Sequence, residues 1–404
     1  MPQTDGKSLD PSLTSKEMYH LQMSRFLSAQ LDFSKPGFNY TFLKEQYPVP
    51  THHRDLEEQV TAFLEMNPPK DPPKETLWIF SFGIWDVWHL AALPRSAGET
   101  ALDGMTKVLF TQVERLYEAS LVETSPAFSD FWGFSEPSLL EKVANRTGIA
   151  DSRREREVFR LLVPSILDPS LTPAWDSLRP SPPAPHSKAE HVKNAAYLTS
   201  RWNANVQEQM DGWKRSRPAQ HPPVVVRPAN DNDDGDRAEA RKRSVSTEDE
   251  QDDILVVPYP KKEGRVFDAP GFVLDTIIER QLRSTNLQDH LHAGNRSESE
   301  PIHYREVKRP CSADATPTQG RMLQVLTGMR TGADAQPCKE PGQHLFYTPF
   351  TIAARGIREI AGRAADLARR ELYLAEDADY IPGSAKVKRG SEASFINAAR
   401  PEIR

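Results

Sequence analysis

Between residues 55 and 374 the apolar positions alternate between short continuous runs and helical i, i+3, i+4 spacing. The first run, Leu77 to Phe82, stops at Gly83 and leads into a segment rich in tryptophan and aspartate, Ile84-Trp85-Asp86-Val87-Trp88. A run of this length ending in glycine predicts a buried strand followed by a turn. Val158–Asp168 and Ile254–Pro258 (ILVVP) predict two further buried strands, and His344–Phe350 a short strand-to-loop segment. Helical spacing predicts amphipathic helices over Asp55–Glu65, Leu102–Ser120, His191–Lys214, Phe272–Leu282 and Ile352–Leu374, with another at Thr14–Leu31. Asp55 is placed to cap the first of these. Strands alternating with helices indicate an α/β fold with a mainly parallel sheet. In such sheets ligand-facing residues collect where the strands end, so Gly83, Trp85, Asp86 and Trp88 become binding candidates. An aspartate between tryptophans suits a polar or sugar ligand by hydrogen bonding and stacking. The plainer role for Asp86 is to cap the turn, and for Trp175, Trp202 and Trp213 to fill the core.

Composition changes this picture in one place. From Arg215 to Asp253 almost no residue is apolar, so the stretch lacks the surface needed to offset ordering entropy and reads as a disordered insertion. The chain then divides into an N-terminal extension (1–50), a first α/β part (51–214), the insertion (215–253), a second α/β part (254–374) and a tail (375–404). The 34 prolines and 38% hydrophobic content agree with a core that occupies part of the length.

Net charge is −6 and the one basic cluster, Arg241–Arg243, sits in the insertion, so nothing marks a nucleic-acid partner. No run reaches the roughly 18 apolar residues of a membrane span. The first residues lack the basic start and apolar core of a signal peptide. Against that, the two cysteines, Cys311 and Cys338, are placed to close one loop, and Asn39, Asn145 and Asn295 each open an N-x-S/T sequon. Both features favour a secretory history, which would require a leader upstream; otherwise the cysteines are two inert thiols. His52, His53 and Asp55 lie close together in sequence, but adjacent side chains before a helix converge poorly, so no metal or cofactor is expected. There is no G-x-S-x-G, P-loop, G-x-G-x-x-G or H-E-x-x-H.

In order, these pieces resemble the GDSL/SGNH esterases, above all the plant-type lipases. Leu56, Gln59, Val60 and Phe63 match a helix that precedes a strand ending in G-x-N-D, here Gly83-Ile84-Trp85-Asp86. Leu116-Tyr117, the proline loop LLVPSILDPSLTP, the asparagine-bearing helix from Asn194 to Asn203, and Cys338-x-x-Pro341-x-x-His344-Leu345-Phe346-Tyr347 follow in the family's order. Fungal chains of this type write the strand as F-G-x-W-D-x-W. The resemblance spans about residues 55–370 and implies a three-layer α/β/α sandwich.

It also implies damaged chemistry. No G-D-S serine motif occurs, the oxyanion-hole asparagine aligns with Trp85, and the Asp and His of D-x-x-H align with Thr348 and Thr351. Neither threonine can act as an imidazole base or orient one. His344 lies nearby at a different spacing and reads as a structural histidine. The expectation is therefore a catalytically inactive binding or scaffold module for a polar, glycan-like or acylated ligand. The alternative is an active esterase or acyltransferase whose serine block is missing from the sequence.

Overall fold

The structure, a computed structural model, describes residues 39–47, 54–73, 76–129, 158–216, 260–312 and 338–372, and the backbone of Val224–Val226 and Leu255–Val257. A single turn, α1 (Leu43–Gln46), buries Leu43. Helix α2 (Leu56–Leu64) starts at a reciprocal cap. The Asp55 carboxylate accepts from the Glu58 N–H, and the Glu58 carboxylate accepts from the Asp55 N–H. Strand β1 (Leu77–Ile79) is shorter than its apolar run. After one further ladder bond, Phe80 N–H to Leu162 O at 3.1 Å, the chain leaves the sheet for the turn at Gly83.

Helices α3 (Ile84–Leu90) and α4 (Arg95–Ser120) follow. α4 starts at Arg95 rather than Leu102 because its first turns bury small residues that a hydrophobic period barely registers. Gly98 and Ala101 are both buried, and a Cβ on Gly98 would lie 3.2 Å from Leu198. Strand β2 (Val158–Pro164) leads through the 3-10 turn Pro169–Leu171 and the short α5 (Pro173–Ser177) into α6 (Lys188–Arg215). Strands β3 (Val224–Val226) and β4 (Leu255–Val257) come next, then β5 (Lys261–Phe267) and α7 (Ala269–Ser284). A 3-10 turn at Pro341–Gln343 precedes α8 (Ala354–Glu371).

The result is a mixed α/β fold around a small open sheet of three parallel strands, ordered β1-β2-β5, with Trp78 beside Leu161 and Leu161 beside Gly264. Two expectations are corrected here. The ILVVP run does not enter this sheet; Leu255–Val257 pairs antiparallel with Val224–Val226 in a separate ladder. Consequently the stretch read as a structureless insertion contains a strand. The third core strand is Lys261–Phe267, whose polar sequence KKEGRVF carries no apolar run. His344–Phe350 likewise forms no strand, only isolated bridges from His344 to Glu306 and from Phe346 to Ile352.

Side chains of β2 alternate between destinations, as the period-2 geometry of a strand requires. Phe159, Leu161 and Val163 enter the large core with residues of α4 and α6, while Leu162 packs with Phe267, Ala368 and Leu372. Arg160 is buried in the same strand, and its Nε donates to the Leu372 carbonyl at 2.7 Å. That contact places a cation at the C-terminus of α8, where helix carbonyls lack partners and partial negative charge collects.

A second cluster joins α7 to the loops through Phe272, Ile302, Tyr304, Leu345 and Phe346. Cys311 and Cys338 form a disulfide with Cα atoms 5.1 Å apart. The Cys311 and Ser312 N–H groups donate to Phe346 and Tyr347 carbonyls at 3.0 and 2.9 Å. The Thr14–Leu31 helix, His52, His53, Asn145, Arg241–Arg243 and the tail from 375 lie outside the described residues. Among the described residues no helix is long and apolar enough to cross a membrane.

Candidate functional site at the strand ends

The three parallel strands run out side by side, and a cavity of about 170 Å³ lies between their ends. Phe82, Ile84, Ile166, Val273 and Ile352 line it with apolar surface, and Ser81 and Ser165 add two hydroxyl-bearing side chains. An apolar cavity of about 150 Å³ accepts benzene, so this one has room for a single ring or a short aliphatic chain. Its floor is fixed from α6. Asn203 accepts from the Ile166 N–H at 2.9 Å and donates to the Ile166 carbonyl at 3.2 Å. The Ser165 N–H donates to Phe267 O at 2.8 Å, which ties the β2 exit to β5.

Gly83 shapes the β1 exit. Its φ of +110° lies in the left-handed region, and a Cβ there would sit 2.3 Å from the Trp202 ring. The bare backbone lets α3 begin against α6, which aims Trp85 outward and Trp88 inward. Trp85 is 39% exposed, while Trp88 is 1% exposed. Of the four candidates at this turn, therefore, Trp88 is core. It supports from below through edge contacts at 5.3 Å to Trp175 and 5.2 Å to Phe350. Phe350 also packs against Trp85 at 4.5 Å, which leaves an exposed aromatic shelf beside the cavity.

Phe350 belongs to the loop that carries Thr348 and Thr351. This loop reaches the shelf because the Ala174 N–H donates to Pro349 O at 3.1 Å. The two threonines bond to each other, Oγ1 to Oγ1 at 2.8 Å, and Thr348 Oγ1 also accepts from the Thr351 N–H at 2.9 Å. They form a hydroxyl-stabilised turn. His344 is directed elsewhere, with Nδ1 3.1 Å from Arg309 O.

Asp86 is half-buried in the first turn of α3. Burial, with the nearby Asp55 carboxylate adding to it, pushes its carboxyl up to about 6 despite the bond from its own backbone N–H. His89, one turn on, has Nδ1 2.8 Å from Trp85 O, and burial together with Arg179 holds it below the usual imidazole range.

Arg179 is the group that sequence reasoning missed. It is buried at 4% exposure, donates from Nη1 to Trp88 O at 2.6 Å, and lies 4.0 Å from the Trp175 ring centre and 4.8 Å from that of Tyr47. Its Nε donates to His191 Nδ1 at 3.4 Å. Burial and this fixed positive charge lower His191 to about 3, so it stays neutral and accepts. Arg179 sits in a proline-rich stretch with no apolar period, so only the nearby aromatics could have hinted at it. These groups brace the aromatic shelf from behind. Asn194 adds to the same brace, donating from Nδ2 to Ala91 O and Leu93 O at 3.3 and 3.0 Å.

Among the described residues no group of three or more His, Cys, Asp or Glu side chains is placed to hold a metal. Asp55 is committed to its helix cap. Compared with known proteins, the chain matches no family model, no curated protein and no solved structure.

Proposed function

We propose that the chain is an SGNH-like α/β/α sandwich that has lost serine-esterase chemistry and uses its strand ends to bind a glycan-like or acylated ligand. The observation that carries this reading is the convergence of Trp85 with the Thr348–Thr351 loop through Phe350. The resemblance puts an oxyanion donor, an acid and a base at Trp85, Thr348 and Thr351. Here those positions lie around one shelf, where Trp85 offers stacking and Thr351 a hydroxyl in place of proton transfer, the Thr348 hydroxyl being held within its turn. The division of β2 side chains between two sets of helices supports the three-layer arrangement. The cavity beside the shelf is apolar enough for a short acyl chain or ring, and Trp85 presents a face to a sugar ring.

The first test is turnover of short acyl esters by the full chain. The expected result is none above background; turnover abolished by a serine-directed phosphonate would overturn this reading. The second is titration with plain and acylated oligosaccharides. Binding is expected, and Trp85→Ala should weaken it about tenfold, since aromatic stacking contributes on the order of 1.5 kcal/mol. Equal binding by both proteins would remove Trp85 from the site.

A further inference from the structure

We propose that Asn39 and Asn295 carry N-linked glycans on a chain whose Cys311–Cys338 disulfide forms in the same oxidising secretory compartment. The inference is independent of what the strand ends bind. Both asparagines open a sequon, Asn39-Tyr40-Thr41 and Asn295-Arg296-Ser297, and both are exposed, Asn39 just before a turn and Asn295 in a bend.

Their hydrogen bonding separates them from the asparagines that build the fold. In α6 the side-chain nitrogen of Asn194 donates to two carbonyls, that of Asn203 to Ile166 O, and that of Asn205 to Asp103. Among the described residues, only the oxygen of the Asn39 side-chain amide is engaged. Its Oδ1 accepts from the Thr41 N–H at 3.1 Å and from Thr41 Oγ1 at 2.7 Å. Two donors on one atom identify it as the oxygen, and among the described residues no hydrogen bond uses Nδ2. At Asn295 the backbone N–H closes the turn to His292 O, and no hydrogen bond among the described residues uses its side chain. A sugar on either nitrogen therefore displaces no hydrogen bond among the described residues.

The disulfide points to the same compartment, since the chain's two cysteines pair with each other. In the glycan transfer, the asparagine nitrogen attacks the anomeric carbon of a lipid-linked oligosaccharyl pyrophosphate. The new C–N bond forms as the carbon–oxygen bond to pyrophosphate breaks, the lipid pyrophosphate leaves, and the amide nitrogen gives up one proton. In the disulfide step, two thiols pass two electrons and two protons to an oxidising protein disulfide, which becomes a dithiol.

The test is peptide mapping of the full chain purified from the cells that make it, after amidase release of N-glycans in heavy-oxygen water. Labelled aspartate is expected at 39 and at 295, with both cysteines resistant to alkylation until a reductant is added. Thr41→Ala and Ser297→Ala keep the asparagines and should each abolish label at the matching site only. Label missing from one site in the natural chain overturns the proposal for that site. Both sites unlabelled, or cysteines alkylated without reductant, overturns it altogether.

Discussion

At the scale of single residues, Gly83 sets the geometry of the strand ends. Its positive φ is costly for any L side chain, by roughly 1–3 kcal/mol, and a methyl group would also have to displace the Trp202 ring. Gly83→Ala is expected to lower stability by roughly 2–5 kcal/mol in urea unfolding, the two costs acting together. A loss under about 1 kcal/mol would mean that the turn can relax, and the role given to Gly83 would fall.

Asp86 and His191 impose opposite pH slopes. The Asp86 carboxyl is raised from 3.8 to about 6 in the fold. Between about pH 4 and 6 the folded chain therefore keeps a proton that the unfolded chain has released, and stability falls as pH rises through that window. His191 is lowered from 6.5 to about 3, so below pH 6.5 the unfolded chain takes up a proton the folded one refuses. Stability due to His191 thus rises with pH across that range. Asp86→Asn removes only the first slope. Measured by denaturant midpoints from pH 4 to 7, the variant should gain on the natural chain by roughly 2 kcal/mol, from a shift of about two units at 1.4 kcal/mol each, less some solvent screening. A difference that stays constant with pH would show that Asp86 titrates normally.

At the scale of elements, β5 shows why a buried strand can look like a loop. Lys262 is 5% exposed, yet its ammonium donates to both Glu114 oxygens at 2.8 and 2.6 Å and to Ser216 Oγ at 3.0 Å. Gly264 faces Met210, whose sulfur would lie 2.1 Å from a Cβ there. A charged residue neutralised from α4 and a glycine filled from α6 take the places where a pattern search looks for Val or Ile. Lys262→Ala should cost roughly 3 kcal/mol because it strips the partner from a half-buried carboxylate. Lys262→Met with Glu114→Gln should recover most of that loss in the same unfolding assay, and a double variant as unstable as the single one would mean that packing, not charge, dominates.

Helices α2, α4, α6, α7 and α8 were legible because their apolar faces repeat every 3.6 residues, whereas the short α1, α3 and α5 were not; β1 and β2 showed as largely apolar runs, β2 interrupted by Arg160. ILVV misled because an apolar run is a local pattern and does not say which sheet its strand joins. At the site, the run ending in Gly83 marked the strand end. Sequence reads Trp202 only as core and Asn203 only as part of a helix and leaves Arg179 unread, because what brings them there is tertiary packing, which sequence does not record locally.

At the scale of the whole molecule, the strand-end site depends on two bodies of packing with different support. The large core of β2, α4 and α6 is built on long helices and holds Gly83 and Trp88. The cluster of α7 with Ile302, Tyr304, Leu345 and Phe346 is small, and it carries the loop that brings Phe350 onto Trp85. Its loops are joined by the disulfide, which spans 27 residues of sequence. Closing a loop of that length restricts the unfolded chain by about 3.5 kcal/mol in the chain-entropy picture. Removing the link should therefore loosen the smaller body first, because local opening begins where buried contacts are fewest. In a chain carrying both Cys311→Ser and Cys338→Ser, amide exchange at Leu345, Tyr347 and Ala353 should quicken well before that of β2. Trp85 fluorescence should shift to the red as Phe350 withdraws, while the far-ultraviolet helical signal holds. Uniform loss of protection across β2 and the loop would show a single cooperative unit, and the separate dependence of the shelf on the disulfide would be wrong.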